Sequence, residues 1–568
     1  FSAEMAHLIS EVSDKVQGSS SYIDDFEAAE SGIDISRPSA WTLSAVPHGM
    51  AGYGKTGSIE AGYNRALINW FTIDPLFTRR NSMLTPSHIK SDLDQLSNHY
   101  VREVYERELY PNKESTSSES TTLSILNLAY YPQERGPYNL NPNLDANGYL
   151  PNPSQNWAGI MRSLNTTDFE TANIEYIEFW MLDPFIYNQS SSGGDMYINL
   201  GEVSEDILLD GKKYFENGIP VNNDATQYSE TVWGKVPTTT SLVYAFDNSN
   251  SDSRSKQDVG LNGLSSEEEL KFHTYSNYLN QVKGRISADA YKVLEQDPAG
   301  DDFHHYRGTD YDNNKVSILD RYKYYNGTEG NSPNSEDTDE RFDQSSRTTP
   351  DIEDANQDYT LDEYEKFFQY RISLRPSDLQ VGRNYIADKR EVKIKLRNGN
   401  METVNWYCFR IPVDEYEKAI GGIRDFSSIR FMRIYLTNFT DETHIRFGSL
   451  ELMTSQWRNY QQPIASSSNK TPVISGSLAA TSVNIEENGD RTPVNYVVPP
   501  GITRILDPQQ TQLIQDNEQA MSIKVTNLDA GEARGIYKKS ALDLRKYQRI
   551  QMFSHLEAPI NDVQMLQD

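Results

Sequence analysis

The chain has 568 residues, with 82 Asp and Glu against 53 Lys and Arg, a formal net charge of −29. This surplus repels nucleic acid and anionic membrane, and it suits a solvated surface or divalent cations. The single cysteine, Cys408, forms no internal disulfide, no apolar run reaches the length of a membrane helix, and the length suggests roughly three to five domains.

Taken in order, residues 1–20 read as a short amphipathic stretch and a Gly/Ser linker. The chain begins at Phe1 without Met and reads as a segment cut from a longer protein. A first β-sandwich module is expected over residues 21–250. Asp25, Phe26 and Glu27 near its start, with Trp41 beyond, resemble the opening of a galactose-binding jelly roll. Next, Gly49, Gly54, Lys55 and Thr56 fit the phosphate-loop spacing G-x-x-x-x-G-K-T. That chemistry needs a strand before the loop and a helix after it. Pro47 and His48 stand before it, and Gly57, Ser58 and Gly62 follow, so the match reads as a decoy.

Two helices are expected within residues 85–110. One opens at Thr85 and Pro86, and the other runs from Ser97 through Val101, Val104 and Leu109. A strand at 123–129 leads into a tight segment, 130–139, with Pro132, Gly136 and Pro137. The run 173–182 places Ile177, Phe179 and Met181 on one side of an extended chain and Tyr176, Trp180 and Leu182 on the other. Apolar on both sides, it reads as a strand buried in a sandwich or under a cap. Its lead-in, Asp168 and Phe169, recurs as Asp425 and Phe426 before 429–435, and as Asp543 and Leu544 before 547–553. The pattern predicts one β-module used three times.

From 251 to 370 the texture becomes acidic and helical. Asp354, Asn356, Asp358, Thr360, Asp362 and Glu365 occupy positions 1, 3, 5, 7, 9 and 12 of a calcium loop, with Tyr359 where the turn prefers Gly. Tyr364, Phe367, Phe368 and Tyr370 carry helix potential after it. A second loop offers Asp258, Asn262, Leu264 through its carbonyl, and Glu269; it has the turn Gly263 but no acid at position 3. Both predict structural Ca²⁺ that ties acidic loops together. Asp301, Asp302, His304, His305, Asp310 and Asp312 form another polar group. Adjacent histidines point in different directions on regular structure, so these read as solvated loop residues rather than ligands of one transition metal.

After 371 the β texture returns, with a second sandwich module at 371–465 and a third at 466–568. No nucleophile–base motif stands out. Cys408 sits in an aromatic strand and reads as a core thiol. Trp41, Trp157, Trp180 and Trp233 would form either sandwich core or a sugar platform.

Several segments carry a family resemblance. They are Ala129 to Asn139 (AYYPQERGPYN), Asn156 to Met161 (NWAGIM), Gly193 to Leu200 (GGDMYINL), Gln257 to Leu261 (QDVGL) and Ile429 to Ile434 (IRFMRI). In collinear order they resemble the SprA/Sov family, the giant cell-surface proteins of Bacteroidetes gliding motility and type 9 secretion. The resemblance implies a non-enzymatic part of a very large outer-membrane β-barrel that passes folded cargo proteins. Its partners would be the rest of the parent barrel, a shuttle or plug protein and the cargo, with no nucleic acid. Lacking a lipid-facing strand pattern, the segment would be a soluble cap or insertion, on the extracellular side. The expected architecture is thus mainly β: repeated jelly-roll or β-sandwich modules with a small acidic α-rich calcium-loop insertion. The alternative is a cell-surface glycan-binding jelly roll.

Overall fold

The computed structural model describes residues 30–79, 82–113, 121–239, 244–247, 251–331, 349–460, 477–490, 495–500, 503–504, 515, 517–526, 533–538 and 553–556. The chain divides into two units. One comprises residues 32–109 and 120–454, the other 1–31, 110–119 and 455–568.

The strands of the larger unit, in chain order, are β1 (Glu30–Asp34), β2 (Thr42–Leu43), β3 (Ala66–Phe71), β4 (Leu126–Arg135), β5 (Trp157–Ser163), β6 (Ile174–Leu182), β7 (Gly194–Glu202), β8 (Tyr228–Glu230) and β9 (Lys235–Pro237). After the helical region come β10 (Lys366–Leu374), β11 (Ile386–Lys395), β12 (Met401–Pro412), β13 (Lys418–Ala419), β14 (Phe431–Thr437) and β15 (Thr443–Ser455). Apart from β8 and β9, which pair only with each other, they build two antiparallel sheets. One runs β11-β12-β6-β15-β4-β3, with β1 also pairing β15; the other runs β13-β10-β7-β14-β5-β2. The protein is mainly β, as its aromatic and β-branched runs predict.

Alternation explains why the sheets face each other. Ile177, Phe179 and Met181 of β6 share one buried cluster with Phe409 and Ile411 of β12, Ile445 and Phe447 of β15, and, from the other sheet, Met196, Ile198 and Leu200 of β7 and Met432, Ile434 and Leu436 of β14. Period-2 strands send alternate residues to one face, and two such faces close a sandwich. Phe179 stacks on Phe409 at 4.7 Å between centroids and meets Phe447 edge-on at 5.3 Å. The opposite side of β6 is covered as well, with Trp180 beneath the Arg390 guanidinium. The buried strand expected at 173–182 is therefore the centre of its sheet.

Four expectations change. Strands assigned to separate modules at 21–250 and 371–465 hydrogen-bond to one another: β6 lies between β12 and β15, and β7 between β10 and β14. The two copies of the recurring strand, β6 and β14, lie in opposite sheets of this one sandwich, and the third copy, apart from Phe553, falls outside the described residues. The helix expected after Glu365 is the strand β10. Phe368, Tyr370, Ile372 and Leu374 alternate into the core while the backbone pairs with β7 from Lys366–Glu202 to Leu374–Gly194. The helix expected from Ser97 is a series of turns ending in Glu106–Leu109, because Arg102, His99 and Glu108 are drawn into a buried polar group. The helix at Thr85 and Pro86 forms as Ser87–Ser91.

The segment 130–139 is not wholly a turn. Strand β4 continues through Pro132, and its pairing with β3 shifts register between Tyr131 and Arg135. A bulge accommodates a residue that donates no ladder hydrogen bond.

In the smaller unit, Ser477–Asn484 pairs antiparallel with Gln519–Thr526, and Arg458–Asn459 with Ile536–Tyr537. The opening acidic-aromatic stretch at 25–27 lies outside the described residues.

Candidate metal centre

Between β9 and β10 the chain forms short helices, Ser251–Ser255, Ser266–Glu269, His273–Val282, Ala288–Gln296, Thr309–Asn313 and Ile318–Arg321. Tyr275, Tyr278, Leu279 and Val282 of the longest one join the sandwich core. Ser265 and Glu268 close a capping box at Ser266–Glu269, and Ser287 accepts from Ala290 N at 3.2 Å to cap Ala288–Gln296.

Asp297 ends that last helix. Its Oδ1 accepts from Gly300 N at 2.6 Å and Asp301 N at 3.1 Å, and its Oδ2 from Asp302 N at 3.3 Å. The resulting tight turn projects Asp301 inward. The second predicted loop, 258–269, meets it there. Gly260, at φ +83°, has no room for a Cβ, which would lie 2.5 Å from Asp301 Oδ2 and 3.4 Å from Asn262 Oδ1. Glu269 is fully buried and accepts from the Asn262 amide and from Ala299 N at 2.9 Å. Glu329 reaches the same place from downstream, accepting from Ser266 N at 3.1 Å and Ser266 Oγ at 3.1 Å. Asp302 Oδ1 accepts from that hydroxyl at 3.0 Å.

Five carboxylates are thus brought together. One oxygen each from Glu269, Asp297 and Asp301 lie within 4.8 Å of one another, and so do oxygens from Asp301, Asp302 and Glu329. Asp301 belongs to both triads. None of the five is in an ion pair with a described residue. The nearby Lys235 is taken by Glu268 at 2.7 Å. Arg135 spends its donors on the carbonyls of Asn139, Asp297 and Pro298. Burial, with neighbouring negative charge added, holds the Glu269 and Asp301 carboxyls well above the usual range. Burial and the charge of Asp302 push Glu329 up to about 8, and burial with Asp297 pushes Asp302 up to about 6. The donor set is all hard oxygen, the chemistry of Ca²⁺, Mg²⁺ or Mn²⁺.

The first predicted loop is arranged differently. Asp354 pairs with Lys213 at 2.7 Å and accepts from Tyr244 Oη, Asp358 N and Tyr359 N. The Asn356 amide bridges Asp358 and Asp362, and Thr360 Oγ1 donates to Asp358. Arg430 pairs with Asp358 at 2.6 Å and with Asp362 at 3.2 Å. Glu365 is held by both terminal nitrogens of Arg433, at 2.8 and 2.7 Å. The local ligands are present, yet three cations from outside the loop engage four of its carboxylates. Buried Glu205 accepts from the backbone of Ala355, Asn356 and Asp362, and its carboxyl is pushed up to about 8 by burial.

In the second loop the structure brings Asn262 and Glu269 to the five-carboxylate group. Asp258 lies at its buried start, and the Leu264 side chain packs in the core. His304 pairs with Asp310 at 2.9 Å and Asp312 with Arg321 at 2.7 Å, so the polar group expected there disperses. Sequence reading missed Asp297 and Glu329. The spacing of Asp297 to Asp301 and Asp302 across Pro298 and Gly300 is a turn signal that could have flagged the first; Glu329 carries none.

Other candidates resolve simply. Residues 47–58 form successive turns in which Lys55 pairs with Glu60 at 2.6 Å. Trp41, Trp157, Trp180 and Trp233 are all buried, as is Cys408. Among the described residues, no helix is long and apolar enough to cross a membrane.

A search of curated proteins finds no match. The SprA_N family model, whose description is motility related/secretion protein, matches residues 277–567, just over half of the chain. The match takes in part of the helical region, the later strands of the sandwich and most of the smaller unit, and on it the chain belongs to the SprA_N family of motility-related and secretion proteins.

Proposed function

We propose that this chain is a soluble cap or insertion of a very large outer-membrane channel that exports folded proteins to the cell surface, in type 9 secretion and gliding motility. The observation that carries the reading is the family match over 277–567. The architecture is in keeping with it. A closed sandwich with Phe, Trp and Ile on its inner faces is a rigid body suited to bounding a path and excluding leak, a task that calls for no catalytic group. The extracellular side suits a surface carrying a net charge of −29. Its partners would be the parent barrel, a shuttle or plug protein and the cargo. The glycan-binding alternative calls for exposed, coplanar Trp or Tyr on a concave face, and Trp41, Trp157, Trp180 and Trp233 are buried.

The test is affinity capture from detergent-solubilised outer membrane, with a tag placed in this segment of the intact parent. Co-recovery of a second barrel together with secreted cargo is the expected result. Recovery of polysaccharide without those proteins would overturn the proposal.

A further inference from the structure

We infer that the helical region holds a structural calcium ion at Asp301, through the carboxylates it shares with Glu269 and Asp297 on one hand and Asp302 and Glu329 on the other. Three observations carry this. The first is the convergence of the two triads on a single side chain.

The second is the state of that side chain. Asp301 is 1% exposed and its Oδ1 has no hydrogen-bond partner. Thr328 Oγ1 lies 3.5 Å from its other oxygen, and the Tyr138 hydroxyl also bonds the carboxyl. A buried carboxylate oxygen left without a donor costs several kcal/mol unless a cation or a proton satisfies it. Here that oxygen belongs to the residue common to both triads.

The third observation is the missing compensation. Elsewhere buried carboxylates meet either cations, as Glu365 meets Arg433, Glu108 meets Arg102, and Asp195 meets Arg371 and Arg375, or backbone N–H groups, as do Glu205 and Glu353. Asp301 is in no ion pair with a described residue, while Arg135 is committed to carbonyls and Lys235 to Glu268.

Calcium fits better than a softer or smaller ion. The donors are all oxygen, with no thiolate or imidazole in either triad, which disfavours zinc and copper. They come from four separated stretches at 269, 297, 301–302 and 329, and such irregular, carboxylate-rich shells suit the flexible six- to eight-fold coordination of Ca²⁺ more than the strict octahedron of Mg²⁺. The ion would fasten residues 258–269, the turn at 297–302 and the strand-like segment at 329 into one piece.

The experiment uses the full 568-residue chain, stripped with EDTA and titrated with CaCl₂, while Tb³⁺ luminescence sensitised by neighbouring tyrosines reports occupancy. Calcium in excess is expected to raise Tm by about 3 °C or more and to displace Tb³⁺. Asp301→Asn and Glu329→Gln should each lower the affinity at least tenfold, whereas Asp358→Asn in the first loop should leave it unchanged. Asp301→Asn removes charge from a crowded group, so the ion-free variant should fold at least as well as the ion-free wild type. Wild-type chain that binds neither Tb³⁺ nor Ca²⁺ overturns the inference. So does binding that Asp358→Asn abolishes and Asp301→Asn spares. Neither result bears on the channel role, which the capture experiment tests separately.

Discussion

Arg433 shows how a spacing rule reads half of a local environment. Positions 354 to 365 match a calcium loop by interval, and those residues do lie in one loop. The interval says nothing about strand β14, whose Arg433 is fully buried against Glu365 and whose Arg430 takes Asp358 and Asp362. Arg433 also donates to Asn199 Oδ1 at 2.8 Å and sits over the Phe367 ring. Breaking such a pair from one side leaves a buried charge alone, so Glu365→Gln should cost about 3–5 kcal/mol by denaturant unfolding. The double change Glu365→Gln with Arg433→Met should cost less than Arg433→Met and Glu365→Gln added together. Strict additivity would show that the two groups do not act as a pair. A second prediction concerns His305. Burial, helped by Arg307, lowers its pKa to about 4, against 6.5 unfolded. Its neutral form therefore favours the fold fully above pH 6.5, and this contribution is lost as the pH falls toward 4. At pH 5 the loss would be about 2 kcal/mol relative to pH 7.5. The stability difference between wild type and His305→Gln should shrink by that amount over the same interval. A difference independent of pH would rule out this titration.

At the scale of elements, alternation was the reliable signal. The two-sided apolar run at 173–182 is β6, and its inward residues are the ones its period assigns. The same rule would have identified β10, where Phe368, Tyr370, Ile372 and Leu374 repeat every second residue; attention to the calcium spacing suggested a helix in its place. At 97–109 the apolar positions also fit a helix, but Arg446 of β15 donates to the carbonyls of His99 and Arg102, which fixes that backbone as turns. Such a tertiary contact is invisible to periodicity. The aromatic partners of Phe179, Phe409 and Phe447, lie 230 and 268 residues later in the chain, so its removal would be felt in three strands at once. Phe179→Ala should destabilise the larger unit by about 3–5 kcal/mol, the range for deleting a fully buried aromatic ring. A loss below about 1 kcal/mol in urea unfolding would mean that the core collapses around the gap.

For the whole molecule, composition and patterning gave the class, mainly β with an acidic helical region, and left the assembly open. Strands carry no label naming their neighbours, so serial modules on either side of an insertion and one interleaved sandwich predict the same local pattern. The structure selects interleaving: β12 and β15 flank β6, and β10 and β14 flank β7. Neither half can then bury its own inner faces. A polypeptide ending at residue 331 would keep β6 and β7 but expose Phe179, Met181, Ile198 and Leu200, together with unpaired strand edges on both sides, which favours aggregation over folding. The segment 349–460 would supply the missing strands in trans. Expressed alone, each piece should lack a cooperative thermal transition. Co-expressed, they should co-purify and recover the far-ultraviolet β signal of the uncut chain. The interface recreated this way includes the nine-residue pairing of β7 with β10 and the seven-residue pairing of β6 with β12, a contact of core-like area. Should the piece ending at 331 melt cooperatively by itself, the first half would be an independent domain and the interleaved core would not be the unit of folding.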